Sequence, residues 1–376
     1  MTAGPFYLQT MDMGFDRLAI LGVGLIGGSF GLAWKRAFPE SNVVGYDRAA
    51  VLDRAKAKGA IDESRVDLID AVAQADLVVL ATPIATMLRQ LDAIAPHLKA
   101  GAVVTDVGSV KQPIATHAAE TLRSDTPFIP GHPMAGSEHG GIDHADALLF
   151  ENATYVLCPP PQPTEAFAHL STQIEQMGAR VLHLAPEQHD RIAAAVSHLP
   201  QLLAVNLMNV AANLHDVDDQ TLKLAAGGFR NMTRIASSPF RPWRDIVVGN
   251  QGPILDMLAA LAAELQATRN RIIEEDLDGL DAAFTRSRTM RDTIPKDTKG
   301  FLTPLFDLYV YVEDVPGVLY FITKTLYEDG INIKDIELLK IREGTGGAFR
   351  LSVARADEAD RAVAALENYG YTAYRL

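Results

Sequence analysis

The stretch LAILGVGLIGGSFGLAW, Leu18 to Trp34, decides how the rest of the chain is read. It is seventeen residues long without a charge, the lower edge of what a helix needs to cross a bilayer, and Gly24 with Gly28 makes the spacing of a membrane helix pair. Five glycines, at 22, 24, 27, 28 and 31, argue against one continuous helix, because each is costly there relative to alanine. They suit a strand, a tight turn and a helix start. Arg17 to Leu21 then reads as a short buried strand, followed by Gly22, Gly24 and Gly27 in the G-x-G-x-x-G spacing. The first glycine allows the turn, the second lets backbone approach a diphosphate, and the third packs helix on strand. Leu25 and Ile26 open a helix running to about Ala37, whose positive N-terminal end would hold the diphosphate.

Composition agrees with this reading. A chain of 376 residues, 48% hydrophobic and 22% charged, is long enough for two or three domains with cores of their own. Its net charge of −13 argues against a general nucleic-acid or anionic-membrane surface, so an acidic substrate needs a local basic pocket. Cys158 is the only cysteine, which excludes an internal disulfide and fits a reducing, cytoplasmic setting. The sixteen residues before Arg17 hold Asp12 and Asp16 and no Lys or Arg, unlike an export signal. Neither a membrane partner nor a metal centre is expected.

Outward from the glycine turn, SNVVGYD (41–47) reads as a second parallel strand ending in an acid, 23 residues after Gly24. Asp47 there accepts ribose hydroxyls and repels a 2′-phosphate, favouring NAD over NADP, although Arg48 is able to partner such a phosphate. Further strands are expected at ADLVVLAT (75–82), GAVVTDV (101–107) and PFIPG (127–131), each separated by helical pattern. This alternation predicts a doubly wound, Rossmann-type parallel sheet. Ligands bind such a sheet beyond the carboxyl ends of its strands, which singles out Thr82, Pro83, Ser109 with Lys111, and His132. His132, in GHPMAG, is a candidate general base. Ser109 is either a hydroxyl bridging base and substrate or an ordinary helix N-cap.

A helix over TEAFAHLSTQIEQMG, stopped by Gly178, and the strand RVLHL complete the first domain as its final edge, giving bounds of 16–185. Residues 186–292 are almost wholly helical. Their first helix carries His189, His198 and Gln201, with Pro200 expected to interrupt it. Arg230 and Arg234 lie four apart, one helical turn, and would meet an anionic substrate or else pair with Asp245 or Asp219. After a polar linker, residues 304–376 read strand, helix, strand, strand, helix, strand, the ferredoxin-like plan.

The motifs GVGLIGGS, TDVGSVK, GHPMAGSEHGG, SHLPQ, GGFRNMTRIASS, WRD and DVPGVL, in this order, resemble the prephenate dehydrogenases that carry a C-terminal ACT domain. The resemblance implies hydride transfer from prephenate to NAD⁺ with loss of CO₂, giving 4-hydroxyphenylpyruvate for tyrosine synthesis. It implies His132 as the base for the substrate hydroxyl, Ser109 as its orienter, Arg234 as the grip on a carboxylate, His189 and His198 lining the site, and Glu138 near its mouth. It implies a homodimer built by the helical domain, and L-tyrosine as effector at Asp314, Pro316, Gly317, Asn332 and Ile333. Where many members read S-H-L-P-H this chain has Gln201, a neutral amide, which keeps arogenate open as the alternative substrate. A related dehydrogenase of another β-hydroxy acid, and a ligand sensor without chemistry, are the competing readings.

Overall fold

The computed structural model describes residues 14–136, 139–162, 164–294, 305–342 and 346–375. They form two compact units, one ending at Glu275 and the other beginning at Asp276.

The uncharged stretch divides as its glycines require. Strand β1 (Arg17–Leu21) ends at a turn and α1 (Leu25–Ala37) follows. Gly22 has φ of +97°, and a Cβ on Gly27 would stand 2.0 Å from the Gly22 carbonyl oxygen, so both positions need glycine for different reasons. After Arg17 the strand is apolar because both of its faces are covered. Leu18 and Ile20 enter one core with Phe30 and Trp34 of α1, and Ala19 and Leu21 enter another on the opposite face. No single helix among the described residues is long and apolar enough to cross a membrane.

Five more strands join β1: β2 (Asn42–Tyr46), β3 (Glu63–Arg65), β4 (Leu77–Leu80), β5 (Val103–Asp106) and β6 (Phe128–Ile129). Helices α2 (Ala49–Ala57), α3 (Leu68–Val72), α4 (Ile84–Ile94) and α5 (Gln112–Thr121) connect them, and the sheet is parallel in the order β3-β2-β1-β4-β5-β6. This is the dinucleotide-binding strand order.

Beyond β6 the chain departs from expectation. Pro127 and Pro130 bracket the two-residue strand, and lacking N–H groups they end the ladder there. The chain then starts a separate three-stranded sheet of β7 (Gly131–Pro133), β8 (Thr154–Leu157) and, after α6 (Glu165–Gln176), β9 (Arg180–His183). His132 therefore lies inside β7, not in the loop after a strand of the parallel sheet, and RVLHL is an edge of this small sheet.

Helix α7 (Pro186–Ala193) passes into a π-helical turn, Ala194–His198, before α8 (Leu199–His215). The interruption expected at Pro200 is thus a widened turn just upstream, which relieves the clash of the proline ring with the preceding turn. Then come α9 (Gly227–Thr233), α10 (Phe240–Gly249) and α11 (Gln251–Ile273). Arg230 is on α9 but Arg234 opens the 3-10 turn Arg234–Ser237, so the two do not share one continuous helix face.

The second unit holds α12 (Leu277–Thr293), β10 (Phe306–Val312), α13 (Val318–Glu328), β11 (Asp335–Arg342), β12 (Gly346–Val353), α14 (Ala356–Tyr369) and β13 (Thr372–Tyr374). Its sheet is antiparallel in the order β11-β12-β10-β13, over a core of Leu308, Val310, Ile322, Leu351 and Leu366. Asn332 and Ile333 precede β11 and do not belong to a strand.

Candidate active site

The glycine turn and the ends of β2 and β4 surround a cavity of about 530 Å³ lined by Gly22, Tyr46, Asp47, Arg48, Thr82 and Gln90. Asp47 Oδ2 accepts the Val23 N–H at 2.9 Å, so the acid is seated against the glycine turn and is not a solvated loop residue. A Cβ on Gly24 would meet nothing of the chain within 4 Å, the condition for backbone to approach a diphosphate at the start of α1. Leu25 and Ile26 are half-buried in the first turn of that helix. Thr82 Oγ1 donates to Gln90 Oε1 at 2.6 Å, and Pro83 leads into α4. These residues fit a dinucleotide.

A network of buried polar groups lies at the end of β5. The Lys111 ammonium and Asp106 carboxylate pair with both side chains fully buried, and Lys111 Nζ also donates to the Gly131 carbonyl at 2.6 Å. Asp106 accepts N–H groups from Gly108 at 2.8 Å and from Gly131 at 3.1 Å. The loop carrying Ser109 and the strand carrying His132 are thereby held to one ion pair. Helix α5 begins at Gln112, with Lys111 before it, so Ser109 is not its N-cap. The Ser109 hydroxyl makes no hydrogen bond among the described residues and is half-buried.

His132 and His189 meet at 2.8 Å, Nδ1 to Nε2. His189 Nδ1 is in turn 2.8 Å from Asp190 Oδ1, so neither of its nitrogens remains for substrate. Asp190 accepts the backbone N–H groups of Lys111 at 2.7 Å and Gln112 at 2.8 Å, at the positive end of α5. Asn250 Nδ2 donates to the Asp190 carbonyl at 2.8 Å and to His198 Nδ1 at 3.0 Å. His198 therefore carries its hydrogen on Nε2, which is buried without a partner among the described residues, while its ring meets Trp243 edge-on at 6.1 Å. Asp190 and Asn250 were not singled out in the sequence, and Trp243 entered only as part of the WRD motif. An acid directly after His189 was the only available signal.

Burial, reinforced by the neighbouring Lys111 charge, holds His132 well below the ordinary histidine range, and burial brings His198 down to about 4. The unfolded chain takes up protons on these rings below pH ~6.5, whereas the folded chain resists doing so. Their contribution to stability is complete above that pH and declines as pH falls toward the folded values. We expect denaturation midpoints measured between pH 7 and 4.5 to fall, and the acid limb of kcat/KM to lie below pH 6. An acid limb at or above 6.5 would contradict a desolvated base. Cys158 is no nucleophile, since burial pushes its thiol up to about 12.

Gln201 Nε2 donates to the Ile235 carbonyl at 2.9 Å, tying α8 to the turn that carries Arg234. Arg234 and Arg230 are exposed and neither pairs with an acid among the described residues; Asp219 instead faces Lys223, and Asp245 accepts the Ala85 N–H. Among the described residues no hydrogen bond or ion pair joins Arg234 to His132, His189 or His198. Glu138 lies outside the described residues. In the second unit, Asp314 and Gly317 line a cavity of about 240 Å³ and Pro316 an adjoining one of about 990 Å³, while Asn332 and Ile333 line neither.

A glycine-turn nucleotide cradle and a desolvated imidazole beside the same sheet define a dinucleotide-dependent dehydrogenase with a helical second domain. The model of the prephenate dehydrogenase nucleotide-binding domain matches residues 30–183, that of the prephenate dehydrogenase dimerization domain matches 185–286, and the prephenate dehydrogenase of Bacillus subtilis (strain 168) is 35% identical over 355 residues, covering 94% of this chain and 96% of the relative. The chain belongs to the prephenate dehydrogenase family. Among solved structures, A. aeolicus prephenate dehydrogenase in complex with hydroxyphenyl propionate and NAD⁺ is similar with a TM-score of 0.69 and 28% identity, over 75% of this chain and 99% of that one. Synechocystis arogenate dehydrogenase is similar with a TM-score of 0.66 and 30% identity, over 73% and 99%.

Proposed function

We propose that this chain oxidatively decarboxylates prephenate to 4-hydroxyphenylpyruvate, with His132 as the base. The observation that carries this is a desolvated imidazole, held by a single hydrogen bond among the described residues, from its Nδ1 to His189, so that its Nε2 is the nitrogen left for a substrate. Bound NAD⁺ supplies the acceptor for the hydride that leaves the ring carbon. His132 Nε2 takes the hydroxyl proton as the carbonyl forms. Loss of CO₂ returns its electron pair to the ring, and the phenolate oxygen regains a proton, so atoms and charge balance. Ser109 orients the hydroxyl, His198 lines the site, and the Arg234 guanidinium meets a substrate carboxylate.

Replacing Arg234 with glutamine is expected to raise KM for prephenate by about 10- to 100-fold, the loss of a charge-assisted hydrogen bond, with KM for NAD⁺ unchanged. Equal losses for both substrates would place Arg234 elsewhere. A second reading, arogenate as substrate, draws on the neutral Gln201 amide and the likeness to the arogenate enzyme. Initial rates with prephenate and arogenate, each with NAD⁺ and NADP⁺, decide between them; no turnover of either substrate would end both.

The element order and the antiparallel strand order β11-β12-β10-β13 support a ferredoxin-like ACT domain. The cavity at Asp314 and Gly317 supports L-tyrosine as its ligand, lowering turnover when bound. Millimolar tyrosine that neither binds nor slows the enzyme would remove that role. Exposed Val210, Leu214, Val248 and Leu255 on the helical segment support a homodimer formed through it.

A further inference from the structure

The hydrogen bonds behind His132 have a direction. An Asp190 carboxylate has nothing to donate, so the hydrogen in its 2.8 Å contact with His189 belongs to the histidine Nδ1. His189 Nε2 is then an acceptor, and the 2.8 Å contact with His132 requires the hydrogen on His132 Nδ1. That leaves His132 Nε2 with a lone pair. The start of the chain of bonds is fixed independently of either ring, because Asp190 Oδ1 and Oδ2 are held by the Lys111 and Gln112 N–H groups. Asn250 holds the Asp190 backbone carbonyl as well.

We propose that Asp190 is a positioning residue that, acting through His189, sets the tautomer of His132 and keeps its Nε2 available as proton acceptor. Asp190 touches neither His132 nor any reacting atom in this account. When His132 gains the hydroxyl proton, its Nδ1–H remains donated to His189, so the new charge is met by an oriented dipole backed by a carboxylate. The inference rests on the reading of His132 as the base, and its test separates the two.

Asparagine at 190 has one oxygen for two backbone donors. If that oxygen faces Gln112, the amide NH₂ faces His189 Nδ1 and reverses the tautomers down the line, putting hydrogen on His132 Nε2. Enzyme labelled with ¹⁵N-histidine and assigned with His132→Asn is expected to show a pyridine-like Nε2 for His132. Asp190→Asn is expected to make it pyrrole-like and to lower kcat by about 100-fold with KM for NAD⁺ unchanged. Should Asp190→Asn fail to fold, His189→Gln and His189→Leu give the same information. Glutamine offers an acceptor where Nε2 stood and leucine offers none, so the glutamine variant is expected to retain at least tenfold more kcat at equal Tm. A pyrrole-like His132 Nε2 in the unmodified enzyme overturns the proposal, as does a pyrrole-like Nε2 with unaltered kcat in Asp190→Asn; where the asparagine oxygen stays toward His189 and keeps the tautomer, the His189 pair decides, and equal kcat for those two variants overturns the proposal. Full activity in His132→Asn overturns the base reading instead, while the nitrogen shifts still report on Asp190.

Discussion

His132→Asn is expected to lower kcat for prephenate by about 10²- to 10⁴-fold, the range for removing a positioned general base. Asparagine can keep a hydrogen bond to His189 in place of Nδ1 but has no basic nitrogen to offer the substrate hydroxyl. The glycine cradle lies at the ends of β1, β2 and β4, so the dissociation constant of NAD⁺, measured by fluorescence titration, stays within about twofold. A variant that turns over at more than a tenth of the original rate would show that another group takes the proton. A variant that loses NAD⁺ binding would show that His132 supports the cradle.

Lys111→Met is the second large effect, and it falls first on stability. Asp106 would keep its two N–H donors and lose its counter-ion in a fully buried position. Breaking such a pair costs about 3–5 kcal/mol, a fall in Tm of roughly 10 °C for a domain of this size. Lys111→Met combined with Asp106→Leu removes the stranded charge, and we expect it to recover most of the lost Tm. Activity should not recover with it, since Gly131 loses both its Lys111 and Asp106 partners and the strand holding His132 is released. A single variant melting within 2 °C of the parent would mean that the pair is solvated in solution.

Much of the nucleotide half was legible in the sequence, because a buried parallel strand, a glycine turn and an acid at a fixed distance leave local marks. Gly22 takes the turn, Gly27 packs on the Gly22 carbonyl, and Asp47 meets the Val23 N–H, each where its spacing put it. The small sheet of β7, β8 and β9 was not legible. Its first strand is three residues long and its pairing with β8 depends on what a pair of prolines ends, not on a pattern of its own. The site was legible in its histidines and not in what connects them. Asp190 and Asn250 are 60 residues apart and meet only because the junction of α10 and α11 packs against α7. Arg234 was identified by its charge, but its turn could not be foreseen, since nothing in GGFRNMTRIASS distinguishes a helix end at Thr233 from a continuing one.

The widened turn at Ala194–His198 sets the phase of everything downstream. His189 and Gln201 are twelve residues apart, which on an unbroken α-helix would point them about 120° from each other. Absorbing one surplus residue turns the later segment back by about 100°, and the two side chains come onto nearly the same bearing. Both are buried, one behind His132 and the other against the Arg234 turn. The surplus residue thus acts as a gear tooth between the end of the rod behind His132 and the end against the Arg234 turn. Shortening the rod by one alanine would restore regular winding and set the two ends out of step.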